Sequence, residues 1–372
     1  MGLLDIRSLF SGRMGLLDFR SDTVTRPTQA MVQAMTSAEL GDDVLGDDPT
    51  VLALEEEAAG LLGKEAAVFV PSGTMSNQLG LRVHVGPLEE VLCDHRAHIH
   101  VWEVGGIHAH CGASVVAVPP REGQRFLCGE AVKEYVRTDH SLYHQPITKL
   151  LSLENTINGD VVPLSMLAEA TAAARQLGLA AHMDGARLFN AAVASGTDMA
   201  DYGRLFDTVS ICLSKGLGAP IGSVLCGSAE LVRRARHFRK LYGGGMRQAG
   251  ILAAAGRYAL KHHVSRLQED HENAAFVADG LEELGFSVQR PVETNMVWCA
   301  PPPQLSLPFQ ELQARLRLED GILLGSPYAG PGGRNPFGKA KHNMRIVTHL
   351  DAPRSAARTL LASLAKHLRR GL

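Results

Sequence analysis

No uninterrupted apolar run in this sequence approaches the ~20 residues that cross a bilayer, and the N-terminus lacks the apolar core of a secretory signal. A membrane-spanning or exported protein is therefore not expected. The six cysteines (Cys93, Cys111, Cys128, Cys212, Cys226 and Cys299) include no CxxC pair, and several stand in apolar runs where a reduced thiol packs as a small hydrophobe. That usage excludes a disulfide framework and predicts a reducing, cytoplasmic setting. An excess of one charge is also missing. Lys and Arg number 37 against 39 Asp and Glu, with no long basic or acidic block. Nucleic acid and anionic membrane are thus not expected as partners, and a small-molecule ligand is. Beyond one duplication at the start there is no fixed-period repeat, which disfavours solenoids and propellers.

What is present is a chain of 372 residues, 45% apolar and 20% charged, with room for a large core and a second, smaller one. The duplication is MGLLDIR (Met1 to Arg7) against MGLLDFR (Met14 to Arg20). It reads first as an alternative start or an expression remnant and second as a mitochondrial presequence, against which Asp5 counts. The expected organisation is a leader at 1–17, an arm at 18–45, a large domain at 46–273 and a small α+β domain at 274–372. Tyr328 to Phe337 reads as a mobile surface loop on composition.

Asp48 followed by Pro49 is a good helix start, and Leu54, Ala58, Leu61 and Leu62 then recur at helical spacing until Gly63. Ala66 to Val70 is short and apolar on both faces, as a strand covered by helices on both sides must be. Val91 to Cys93, Val115 to Val118, Leu150 to Leu153, Leu179 to Met183, Thr208 to Leu213 and Ser223 to Cys226 repeat that pattern, mostly separated by helical stretches such as Leu164 to Leu177. This alternation predicts an α/β fold with a mostly parallel sheet flanked by helices. In such sheets ligands bind outside the carboxyl ends of the strands, so Asp184, Glu154 and the Ser72 to Thr74 turn are expected to converge there.

The chemistry centres on TVSICLSKGLG, where an apolar strand delivers Ser214 and Lys215 into a glycine-rich turn. Neutralising a buried lysine at pH 7 costs roughly 4 to 5 kcal/mol, a cost that a Schiff base removes. Asp184 stands at another strand end, where a buried carboxylate calls for a cation such as a pyridinium nitrogen. Ser72 to Thr74 at a helix start suits a phosphate. Each segment has a plain reading by itself: a snorkelling lysine, a capping aspartate, a common turn. Together, in this order, they describe a site for pyridoxal 5'-phosphate (PLP).

The chain resembles the L-threonine aldolases, PLP-dependent enzymes of the aspartate aminotransferase fold (fold type I). The likeness rests on RSDTVTRPT, GDDVLGDDPT, PSGTMSN, AHIHVWEVGG, LENTINGD, HMDGARLFNA, LSKGLGAPIGS, GGGMRQAG and MRIVTHLD, running from Arg20 to Asp351. The resemblance implies Lys215 as the Schiff-base lysine, Asp184 on the pyridine nitrogen and His98 stacked on the ring. It implies a phosphate site at Gly73, Thr74 and Ser214, with Arg247 reaching it from a neighbouring subunit. Ser21, Arg187 and Arg345 are implied for the substrate carboxylate and the cofactor hydroxyl. The implied reaction cleaves threonine, allo-threonine or a longer β-hydroxy-α-amino acid to glycine and an aldehyde. The implied assembly is a homotetramer, a dimer of dimers with active sites at the dimer interface.

Two positions depart from the family pattern. Ile157 stands where its ENTxNG motif usually carries a histidine, and Leu45 stands where GDDVxGDDPT often has a tyrosine. Both predict a more apolar pocket that favours longer substrates, and they leave the base open among His98, a phosphate-bound water and another histidine. An aminotransferase, a β-eliminating lyase, or a cofactor-binding homologue without activity are the alternatives. The group Cys93, His95, His98, His100, His108, His110 and Cys111 lacks a repeated ligand spacing, so no metal is expected. His182 and His349 are read as hydrogen-bonded structural histidines, and Trp102 and Trp298 as packing residues.

Overall fold

The protein is described here by a computed structural model covering residues 15–305, 307–325 and 344–371. Residues 1–13 and the expected loop at Tyr328 to Phe337 lie outside the described residues. The chain divides into two compact units, residues 25–268 and the described parts of 15–24 and 269–371. The expected boundaries differ on two counts. The division at 268/269 falls inside the helix Leu267–Glu283 rather than after 273, and residues 15–24 belong with the described part of the chain's last third rather than to a single arm.

Strand β1 (Leu17–Asp18) shows why. It pairs in parallel with Ile322–Leu323, and Phe19 is fully buried in the smaller unit's core. In the larger unit, α1 (Gln29–Thr36) is capped by Thr28, and α2 (Pro49–Leu62) by Asp48, which accepts from Thr50 N at 3.1 Å and Val51 N at 3.0 Å. The helix ends at Gly63, whose φ of 61° is the left-handed cap a side chain would resist.

The expected strands all form. The larger unit's sheet contains β2 (Ala66–Val70), β3 (Glu89–Asp94), β4 (Ser114–Val118), β5 (Ile147–Glu154), β6 (Ala180–Gly185), β7 (Thr208–Cys212) and β8 (Ser223–Gly227). Their spatial order is β2-β8-β7-β6-β5-β3-β4, with β8 antiparallel to both of its neighbours and the other pairings parallel. The carboxyl ends of β2, β3, β5, β6 and β7 therefore share one sheet edge. Apolar residues on both faces of these strands are buried beneath the helices, α3 (Gly73–Arg82) and α4 (Leu164–Gln176) among them.

The smaller unit contains a three-stranded antiparallel sheet of Ser287–Val288, Met296–Ala300 and Met344–Val347. Leu360, Leu364 and Leu368 of its last helix, Arg354–Gly371, are buried in the core. Among the described residues no helix is long and apolar enough to cross a membrane.

Candidate active site

Lys215 follows β7 in a tight turn. Leu213 N donates to Gly222 O at 3.0 Å, Gly218 N to Lys215 O at 2.8 Å, and Thr25 Oγ1 to that same carbonyl at 3.0 Å. The lysine backbone is thus pinned while its side chain stays half-buried at the sheet edge. One strand over, Asp184 near the end of β6 accepts from Ala186 N at 3.0 Å and from Asn77 Nδ2 at 2.8 Å.

Asn77 comes from α3 and does more than hold Asp184. Its Nδ2 also donates to Glu103 Oε1 at 2.8 Å, and Glu103 in turn sits 2.9 Å from His98 Nδ1. Gln78 Nε2 hydrogen-bonds the other Glu103 oxygen. The His98 backbone N–H donates to Glu154 at the end of β5, 2.9 Å away. His98, Glu103 and Asp184 form a group whose ligand atoms lie within 4.8 Å of one another, and the Asn77 amide and the His98–Glu103 contact account for that closeness. The remaining histidines and cysteines of the 93–111 segment do not belong to it.

The electrostatics follow from burial and crowding. Burial, then the neighbouring Asp184 charge, raises Glu154 to about 8, only partly offset by His98 and Lys215. Burial alone would lower the His98 pKa, but the Glu103 hydrogen bond and the charges of Asp184, Glu154 and Glu103 outweigh it, leaving His98 above the ordinary imidazole value. His182 behaves oppositely. Enclosed and away from solvent, it is pulled down to about 3 and is neutral.

The helix α3 begins against β7. A Cβ on Gly73 would lie 2.6 Å from Cys212 Sγ, so only glycine permits this approach. Ser72 caps the helix, its Oγ accepting from Met75 N at 3.2 Å. Gly73 and Thr74 thus stand at a helix N-terminus pressed against the strand that leads to Ser214 and Lys215. Arg187 immediately precedes α5 (Leu188–Ser195), three positions after Asp184.

Arg247 Nη1 pairs with Asp42 Oδ2 of the same chain at 2.9 Å, and its side chain is largely exposed. Leu45, on that same 41–48 turn, is also exposed. Ser21 and Arg345 both lie in the smaller unit, where Arg345 Nη2 donates to the carbonyl of Arg20 at 3.2 Å. Ile157 is buried in the larger unit's main core, its N–H and C=O exchanging 3.0 Å hydrogen bonds with Asp160.

Asn77 and Glu103 lie within PSGTMSN and AHIHVWEVGG, but the sequence alone does not show what either residue does. The run Ser76-Asn77-Gln78, buried together in α3, is the structural sign of a role for the first, since buried polar groups need partners.

A lysine and an aspartate on neighbouring strand ends, beside a glycine-started helix, fit a PLP-dependent enzyme of the fold type I class. The model of the β-eliminating lyase family matches residues 18–300. The low-specificity L-threonine aldolase of Escherichia coli K12 is 44% identical over 95% of this chain and 98% of its own length. A probable low-specificity L-threonine aldolase 2 of Arabidopsis thaliana is 43% identical over 90% and 92%. The chain belongs to the threonine aldolase family. A solved Leishmania major threonine aldolase shares the fold, with a TM-score of 0.77 and 22% identity over 95% of this chain and 99% of that one.

Proposed function

We propose that this chain is a PLP-dependent aldolase that cleaves β-hydroxy-α-amino acids, threonine and allo-threonine among them, to glycine and an aldehyde. The observation that carries this reading is the delivery of Lys215 and Asp184 to one sheet edge from β7 and β6, Asp184 being a buried carboxylate that calls for a cation. The residues present fit the cofactor. Asp184 is a buried carboxylate beside the Glu154 carboxyl, and a protonated pyridine nitrogen beside Asp184 would supply a balancing charge. Ser214 and the α3 N-terminus at Gly73 and Thr74 offer donors for a phosphate.

Lys215 would hold the cofactor covalently, Asp184 would keep its nitrogen protonated, and His98 would cover the ring. When bound, the ring accepts the electron pair released at Cα. Glu103 holds His98 by Nδ1, which leaves Nε2 to take the proton from the substrate hydroxyl. Ile157 has no proton to move, and the neutral His182 is hydrogen-bonded through both nitrogens. Arg187 offers a planar fork for the substrate carboxylate, fixing which Cα bond is weakened. Ser21 and Arg345 keep the carboxylate role that the family resemblance gives them, and Arg247 acts on the phosphate of a neighbouring copy in a homotetramer. The six cysteines, all free and buried, support a reducing, cytoplasmic setting.

Mixing the purified protein with PLP and then with L-threonine, L-allo-threonine and longer β-hydroxy amino acids tests the proposal. Uptake of the cofactor, with glycine and aldehyde formed in equal amounts, is expected, and Lys215→Ala should abolish turnover and the visible absorption band. Keto acid and ammonia as products, or no uptake of PLP, would overturn it.

A further inference from the structure

Behind Asp184 a hydrogen-bonded chain runs from α3 into the sheet. His182 lies two positions before Asp184 on β6, so both side chains emerge on the same face, under α3. That helix lies directly on the imidazole, because a Cβ at Gly80 would sit 2.4 Å from His182 Cε1. His182 Nε2 is 3.3 Å from Asn77 Oδ1, and its Nδ1 is 2.9 Å from Oγ1 of Thr208, its register partner on β7. Thr208 Oγ1 is in turn 3.0 Å from His84 Nε2.

Donor and acceptor counting gives this chain one direction. Both Asn77 amide hydrogens go to carboxylates, one to Glu103 and one to Asp184. The Asn77 atom facing His182 is therefore Oδ1, an acceptor, which calls for the His182 proton on Nε2. A neutral His182 then accepts at Nδ1 from the Thr208 hydroxyl, whose lone pair accepts from His84 Nε2. A flipped Asn77 would aim its carbonyl oxygen at two carboxylates. Its opposite face meets only the His182 donor.

We infer that His182 is a positioning residue: its Nε2–H locks the Asn77 amide in the orientation that holds Glu103 and Asp184 together. His98, through Glu103, and Asp184 are thereby kept in register, although His182 touches neither. The inference builds on the proposed PLP site but concerns a hydrogen-bond direction that exists in the cofactor-free protein.

Two substitutions separate positioning from mere packing. His182→Gln places an amide donor near the former Nε2, whereas His182→Leu fills the space without a donor. His182→Leu is expected to weaken PLP binding about tenfold and to shift the visible spectrum of the holoprotein, the loss of one buried hydrogen bond being of that size. His182→Gln should restore both even where its melting temperature matches that of the leucine variant. Unchanged PLP affinity in His182→Leu, or equal loss in both variants, would overturn the inference. Nitrogen NMR of His182 in the wild-type apoprotein decides it even if a variant fails to fold. A proton on Nε2 supports the chain of bonds, and a proton on Nδ1 overturns it. Failure of wild-type protein to take up PLP would remove the proposed function alone, since the tautomer is read without cofactor.

Discussion

Glu154 and Asp184 are register partners on the parallel strands β5 and β6, so two carboxyl groups leave one sheet edge side by side. Burial and the adjacent charge hold the Glu154 proton to about 8, against an ordinary 4.5. Between those values the folded apoprotein keeps a proton that the unfolded chain has lost. Stability contributed by this proton is present below about 4.5, declines as pH rises through the window and levels off above about 8, a change of roughly a few kcal/mol. Glu154→Gln resembles the protonated side chain at every pH. Its urea midpoint should fall less than that of wild type between about pH 5 and about pH 8. Parallel pH profiles in the two proteins would refute the assignment.

The Glu103–His98 contact makes a second prediction, this one about rate. A base must be unprotonated to act, and Glu103 is the principal group raising the His98 pKa above its ordinary 6.5. In wild type, kcat/KM should therefore fall on the acid side with an apparent pKa above 6.5. Glu103→Gln removes the charge and should shift that limb to lower pH. His98→Asn should reduce kcat by about 10²–10⁴-fold at all pH values. An acid limb that stays in place in Glu103→Gln would assign it to another group.

The strands were legible because a parallel sheet covered on both faces demands short, doubly apolar runs, and Ala66 to Val70 or Thr208 to Cys212 hardly read otherwise. Lys215 and Asp184 were legible as polar residues at the ends of such runs. Asn77 was not, because its partners Glu103 and Asp184 lie 26 and 107 residues away and hydrogen bonding leaves no periodic trace. The place of Phe19 was hidden for a similar reason. Its burial depends on Leu17 and Asp18 pairing with Ile322 and Leu323, far along the chain. Arg247 shows a third limit, since a motif fixes which residue is present but not its partner within one chain, here Asp42.

Gly73 and Cys212 supply a test of the proposed phosphate site by compensation. Alanine at 73 would bring its Cβ to 2.6 Å from Cys212 Sγ, so the first turn of α3 must move. Gly73→Ala should cost roughly 1–3 kcal/mol of stability and loosen PLP binding. Cys212→Ala removes the obstructing sulfur, so adding it to Gly73→Ala should recover most of both losses, a clear departure from additivity. PLP titrations of the two single variants and the double variant measure this. Purely additive losses would show that helix placement against β7 is not what the glycine secures.

Ile157 is the position at which the proposed preference for longer substrates can be tested. It is 4% exposed within an aliphatic core, and paired hydrogen bonds to Asp160 hold its backbone. Ile157→His introduces an imidazole at the point where the family motif usually has one, but at the cost of burying a polar ring, roughly 1–3 kcal/mol. The melting temperature should therefore drop. If the apolar residue is what tilts this enzyme toward longer β-hydroxy amino acids, the added proton carrier should raise kcat/KM for L-threonine relative to a longer-chain substrate several-fold. The ratio is the informative quantity, because partial unfolding lowers both rate constants equally and leaves it untouched. A ratio identical to wild type, measured beside the expected drop in stability, would assign Ile157 to packing alone and return the question of side-chain preference to the rest of the pocket.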